Sequence, residues 1–226
     1  MSKIQKRTKG IPELPTFSDT CDKCPICLHE KLFKASRNKE DPTVTTTCNQ
    51  GISVDFGFIV VRSQNKERFD HVVGLNGETC YCIITYDHSG TVYGGTFRSK
   101  SPPIDWLNRW LVSNGCTKDE VDGIRFARFD QGGDLGASNK VVELFEAAGY
   151  DVQITATDAS ASLGMGERPH RTIGDALRAM LHGAGLDAKF WPYAFHHFLR
   201  IYNCDVHGDR TMSPFEMCTV GSQYSL

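Results

Sequence analysis

Long apolar runs are missing from this chain. In 226 residues no stretch approaches the roughly 20 apolar residues that a helix needs to cross a bilayer. The opening MSKIQKRTKG has no apolar segment of the secretory kind, so the expectation is an intracellular chain without a membrane span. Internal repeats are absent as well, which removes solenoids and propellers. Neither sign of charge dominates: 25 Lys and Arg against 27 Asp and Glu leave a net charge of -2, which does not advertise a nucleic-acid partner. The nine cysteines are odd in number and unevenly spread, which speaks against a disulfide framework.

What is present is an ordinary globular composition, 40% hydrophobic and 23% charged. The length suits one domain plus a short appendage and is enough to bury a core. Charge is unevenly placed. Residues 1–40 hold nine Lys/Arg against five Asp/Glu, whereas residues 101–160 hold five against ten. An acidic middle fits carboxylates that hold cations, and it fits a solvated surface equally well.

The first fifty residues are polar and rich in Lys and Thr, and they read as an extended arm ending in a linker. From residue 52 the texture changes. ISVDFGFIVV alternates, with Ile52, Val54 and Phe56 on one side and Ser53, Asp55 and Gly57 on the other, as a half-buried strand does. SQNKERFDHVVGLNGE reads as a loop with a partial strand. CYCIITYDHSGTVYGGTF reads as a hairpin turning at Asp87-His88-Ser89-Gly90, a turn rather than a catalytic cluster.

Pro102 and Pro103 open a first helix with Ile104, Leu107 and Leu111 on one side and Gly115 near its end. IRFARFD is a short strand ending at Asp130. A second helix places Val141, Leu144, Phe145 and Ala148 in register and stops at Gly149, and YDVQITAT is a fifth strand. A loop, DASASLGMG, leads into a third helix with Ile173, Leu177, Met180 and Leu181 on its stripe. A fourth begins near Lys189 and carries Trp191, Phe195, Phe198, Leu199 and Tyr202. The order β-β-β-α-β-α-β-α-α implies an α/β fold with a mixed sheet flanked by helices.

Three carboxylates occupy positions that topology can bring together. Asp55 lies on the polar side of the first strand, Asp130 ends a strand before a glycine turn, and Glu167 stands at the start of a helix after a loop. Acids at strand ends and helix starts of an α/β sheet tend to meet at one rim. Crowded carboxylates repel one another unless a cation neutralises them, so such a cluster makes sense as a metal site. With 27 acids in the chain, a chance triple at strand ends remains the competing reading.

The motifs around these acids carry a resemblance. VDFGFIV, RFDQGGDL and GMGERPHRTI resemble the D-D-E signature of the retroviral and retrotransposon integrase core. RFDQGGDL is similar to D-N-G-G-E-F, with Gln131 for Asn and Asp134 for Glu. LGMGERPHRTI is similar to N-G-x-x-E-R-x-x-R-T-I, with Leu163 for Asn. Asp130 and Glu167 are separated by 36 residues, within one of the family's usual spacing. SKSPPIDWL resembles the Lys-Ser segment before the first helix, and ALRAMLHGAGLDAKFWPYAFHHFLRIYN and MSPFEMCTVG resemble copia-type runs. The resemblance spans roughly residues 16–221.

It implies a ribonuclease H-like fold with a mixed five-stranded sheet, residues 50–222 being the catalytic core of a copia-type integrase cut from a Gag-Pol polyprotein. It also implies two Mg²⁺ or Mn²⁺ ions held by Asp55, Asp130 and Glu167, activating water or a DNA 3′-hydroxyl for in-line attack on a phosphodiester. The partners would be DNA, both element ends and target, and further copies of the chain. The place of action would be the nucleus, after a cytoplasmic particle. Leu163 departs from the pattern where Asn helps order a loop or contact DNA, which keeps an inactive, truncated nucleic-acid-binding module as the alternative.

Residues 1–49 resemble the remnant of a zinc-binding pre-integrase domain and linker. Cys24-Pro-Ile-Cys27-Leu-His-Glu-Lys31 is similar to its closing C-x-x-C-x-x-G-K, and the two histidines completing the site would lie upstream. A structural zinc wants four ligands, so Cys24 and Cys27 form a half-site, a compact knuckle with Cys21 and His29, or free thiols. Arg168, Arg171 and Arg178 fall near one side of the third helix, where they would track phosphates or simply face solvent. His196 and His197 share a stripe with Phe195 and Phe198, which suggests partly buried packing, and Asp134 suggests support either for the ligands of the site or for the turn rather than a fourth ligand.

Overall fold

The computed structural model describes residues 48, 50–62, 69–116, 125–130, 134–155, 160–208 and 210–223. Cys21, Cys24, Cys27, His29 and Gln131 lie outside the described residues, as do the side chains of Leu163, Glu167 and Arg168.

Seven strands and five α-helices run in the order β1 (Gly51–Gly57), β2 (Val60–Arg62), β3 (Phe69–His71), β4 (Cys80–Tyr86), β5 (Val92–Phe97), α1 (Ile104–Ser113), β6 (Arg125–Asp130), α2 (Asn139–Ala147), β7 (Tyr150–Thr155), α3 (Ser160–Gly183), α4 (Trp191–Cys204) and α5 (Pro214–Gln223) among the described residues. Five strands form one sheet in the order β5-β4-β1-β6-β7, and β2 and β3 form a separate antiparallel pair. The β5-β4-β1 half is antiparallel, while β1-β6-β7 is parallel, so the expected mixed sheet is present.

Alternation in β1 divides the molecule into two cores. Ile52, Val54 and Phe56 join Cys80, Cys82, Ile84 and Tyr86 of β4 beneath α1 (Leu107, Trp110, Leu111) and α2 (Val141, Phe145). The opposite parity of β4, Tyr81 and Ile83, packs against α3 (Ile173, Leu177, Leu181) and α4 (Trp191, Phe195, Leu199). Helices therefore cover both faces of the sheet. Gly94 on β5 permits this, because a Cβ there would run into Phe195 and Leu199. The edge of β5 is also tied to α4: Asn203 accepts from the Val92 N–H at 2.9 Å and donates to the Val92 carbonyl at 2.9 Å. No helix among the described residues is long and apolar enough to cross a membrane.

Two segments depart from the sequence expectation. The stretch read as a loop before the third helix is helical from Ser160, so Glu167 lies inside α3 rather than at its start. Gly164, Gly166 and Pro169 weigh against helix, but Ala161, Leu163 and Met165 are good formers, and the downstream turns are anchored by Ile173, Leu177 and Leu181. Pro169 inside the helix removes one N–H donor without ending it.

The second is α5, which the periodicity missed. Ser213 and Glu216 form a reciprocal capping box: the Ser213 N–H donates to Glu216 Oε2 at 3.0 Å, and the Glu216 N–H donates to Ser213 Oγ at 3.2 Å. His196 and His197 also differ, being exposed rather than partly buried, because α4 turns Trp191, Phe195 and Leu199 inward instead.

Candidate active site

Strand register brings the first two acids together. The parallel pairing of β1 and β6 sets Val54 beside Phe129, so the next step along both strands sets Asp55 beside Asp130, on strands about 4.8 Å apart. Val54 and Phe129 both point into the core under α1 and α2. Their neighbours Asp55 and Asp130 therefore share the opposite face, the one that α3 covers. The two aspartates line one cavity of about 210 Å³ together with Val54, Phe56, Phe58, Lys100 and Leu135.

Lys100 was present in the SKSPPIDWL motif but not singled out as a site residue. It follows β5 and reaches Asp134 at 3.5 Å, a partly exposed pair at the rim of the same cavity. Asp134 lies in the turn that follows β6. The Asp87-His88-Ser89-Gly90 segment is a turn, with Gly90 at φ 72, and Asp87 is held by Arg128 at 2.7 Å.

His170 is the residue that the sequence reading missed. Its Nε2 lies 3.0 Å from Asp55 Oδ2, and its Nδ1 lies 2.9 Å from the Tyr81 hydroxyl. The tautomer follows from the partners. A carboxylate oxygen only accepts, so Nε2 carries the proton; neutral Nδ1 then accepts from the Tyr81 O–H. Burial first, and the charge of Asp55 second, push the Tyr81 hydroxyl well above its ordinary range and keep it a donor. The other Asp55 oxygen accepts from the Phe56 N–H at 2.7 Å. Both carboxylate oxygens are thereby held while lone pairs remain toward the cavity.

Gly57 makes this arrangement possible. It shares Asp55's side of β1, and a Cβ there would occupy the space of the Tyr81 ring and His170 Nδ1. The VDFG sequence therefore carries the acid and also the gap through which a tyrosine and a histidine reach it.

His170 also connects the third candidate. It sits on α3 three residues after Glu167, so the hydrogen bond to Asp55 docks that helix against β1 within one turn of the glutamate. Arg171 and Arg178 are exposed on the same helix, and Arg178 pairs with Asp175 one turn back.

The donor chemistry suits a hard divalent cation. Two carboxylates from separate strands face a half-open cavity with room for waters, and Mg²⁺ or Mn²⁺ completes its shell with water and phosphate oxygens. Among the described residues, no group of three or more His, Cys, Asp or Glu side chains gathers closely enough to hold an ion.

No family model and no curated protein matches this chain. Solved structures do: the catalytic core domain of BIV integrase matches with a TM-score of 0.52 and 15% identity, over 77% of this chain and 97% of that one. At that identity the likeness speaks for the fold. The five-stranded mixed sheet flanked by helices matches the fold of that catalytic core domain.

Proposed function

We propose that this chain is the catalytic core of an integrase, a polynucleotidyl transferase that joins the DNA ends of a copia-type element to target DNA. The observation that carries the reading is the pairing of Asp55 and Asp130 in one cavity, with α3 fastened to Asp55 through His170. In this account residues 50–222 form the catalytic unit, and residues 1–49 carry Cys24 and Cys27 as two ligands of a zinc site. The chain works as a homo-oligomer on DNA in the nucleus, reaching it from a cytoplasmic particle.

Asp55, Asp130 and Glu167 would hold two Mg²⁺ or Mn²⁺ ions. Bound there, the ions supply Lewis acidity to a phosphodiester and lower the pKa of an attacking water or DNA 3′-hydroxyl. The protein's part is positional. Asp55 and Asp130 project from adjacent rigid strands, so their separation is set by the sheet rather than by a loop. His170 fixes the rotation of the Asp55 carboxylate. Lys100, at the same cavity, places a positive charge where a phosphate would lie. Arg168, Arg171 and Arg178 extend along α3, suited to phosphate contacts that set register without reading bases.

A second reading is a ribonuclease H-like module that binds nucleic acid without joining it, which Leu163 in place of the usual Asn favours. One assay separates them. A labelled DNA end incubated with target DNA and Mn²⁺ is joined by the wild-type chain and not by Asp130→Asn. Binding by both proteins with joining by neither would establish the second reading.

A further inference from the structure

Away from the carboxylates, two cysteines far apart in sequence meet on the other side of the sheet. Cys48, just before β1, has its Sγ 2.8 Å from Cys218 Sγ of α5, across 170 residues of chain. Both are partly buried and pack against the core under α1 and α2. We propose that Cys48 and Cys218 form a redox-active dithiol, a modification site that a peroxide converts to an intramolecular disulfide.

The surroundings of the pair favour one thiol as the nucleophile. Cys218 Sγ lies 3.2 Å from Ser89 Oγ, to which the thiol donates, and 3.3 Å from Thr91 Oγ1, whose hydroxyl donates to the Pro214 carbonyl at 3.0 Å; once Cys218 is a thiolate, the Ser89 O–H can turn to donate to it. Cys48 donates its S–H to Cys218. That hydrogen bond, aided by Ser89, Thr91 and the nearby His88, holds the Cys218 thiol down to about 6 against the opposing effect of burial. The same hydrogen bond and burial push the Cys48 thiol up. Of the remaining described cysteines, burial raises Cys80, Cys82 and Cys116, while Cys204 is an exposed free thiol.

The chemistry balances with hydrogen peroxide as oxidant. The Cys218 thiolate attacks one peroxide oxygen, the O–O bond breaks, and Cys218 sulfenic acid forms with release of hydroxide. Cys48 sulfur then attacks the sulfenic sulfur, displacing its oxygen, which leaves as water with the Cys48 proton. One thiolate and one thiol are oxidised and one peroxide is reduced to a hydroxide and a water, the hydroxide becoming a second water with the proton that Cys218 had released to solvent. The product staples α5 to the segment that feeds β1, the strand bearing Asp55. Because the bond closes a loop of 170 residues, it restricts the unfolded chain strongly.

The test uses the full chain, reduced and then exposed to stoichiometric hydrogen peroxide. Peptide mapping by mass spectrometry is expected to show a Cys48–Cys218 cross-link with the loss of two hydrogens, reversed by dithiothreitol. The melting temperature is expected to rise by roughly 5–10 °C. Cys48→Ser should arrest at a Cys218 sulfenic acid that dimedone traps, and Cys204→Ser should behave as wild type. Oxidation that falls first on Cys204, or dimedone labelling spread evenly over the cysteines, would overturn the proposal. The wild-type map alone decides it should either serine variant fail to fold.

Discussion

The two faces of the central sheet are built to different ends. On the face under α1 and α2, β1 contributes Ile52, Val54 and Phe56, and aromatic contacts such as Phe129–Phe145 and Phe145–Tyr150 close the layer. On the face under α3 and α4, β1 contributes Ser53, Asp55 and Gly57. There the apolar packing of Tyr81, Trp191 and Phe195 stops short of the strand ends and gives way to a polar cavity. One strand thus serves both as core and as site, divided by parity. Substitutions on the two parities should therefore separate stability from cation binding.

The sharpest contrast is expected from the closed face. Phe145 is fully buried, and Phe145→Ala should cost about 3–5 kcal/mol in chemical denaturation. Whatever fraction remains folded should bind Mn²⁺ as the wild type does. A weaker effect on both quantities is expected at the boundary between the two roles. Gly57→Ala forces a methyl against Tyr81 and His170 and should destabilise the fold by about 1–3 kcal/mol. It should also weaken Mn²⁺ binding, because His170 is displaced from Asp55. A cation affinity untouched by Gly57→Ala would break the proposed link between the gap and the acid.

The smallest change in stability belongs to the open face. Asp55 and His170 side chains are 42% and 20% exposed, so solvent screens their pairing, and His170→Phe should cost under about 1 kcal/mol. Its effect on Mn²⁺ affinity should be larger, a loss of roughly 10-fold or more, as for other residues that orient a metal ligand. Equal, small losses in both would reduce His170 to a packing residue.

Sequence patterning revealed the strands and helices wherever burial is one-sided. Alternation in ISVDFG announced both the strand and the side on which Asp55 lies, and the stripes of α2 and α4 were equally plain. The juxtaposition of Asp55 with Asp130 was not visible by pattern, because β1 pairs with β6 only after four intervening strands and a helix. Motif resemblance supplied what periodicity lacked. His170 escaped notice because a histidine on a helix carries no signal until its partners are known. Its place one turn after Glu167 is the only hint. In α3 the punctuating glycines and proline outweighed the helix formers between them. In α5 the Ser213-x-x-Glu216 box with Pro214 between was a readable signal that the weak apolar stripe obscured.

The account stands on Asp55 and Asp130 gripping cations jointly. Mn²⁺ binding followed by electron paramagnetic resonance, in the absence of DNA, tests that directly. Saturable binding by the wild type, lost in both Asp55→Asn and Asp130→Asn while each stays folded, is the predicted result. Unchanged binding in either folded variant would contradict a shared site.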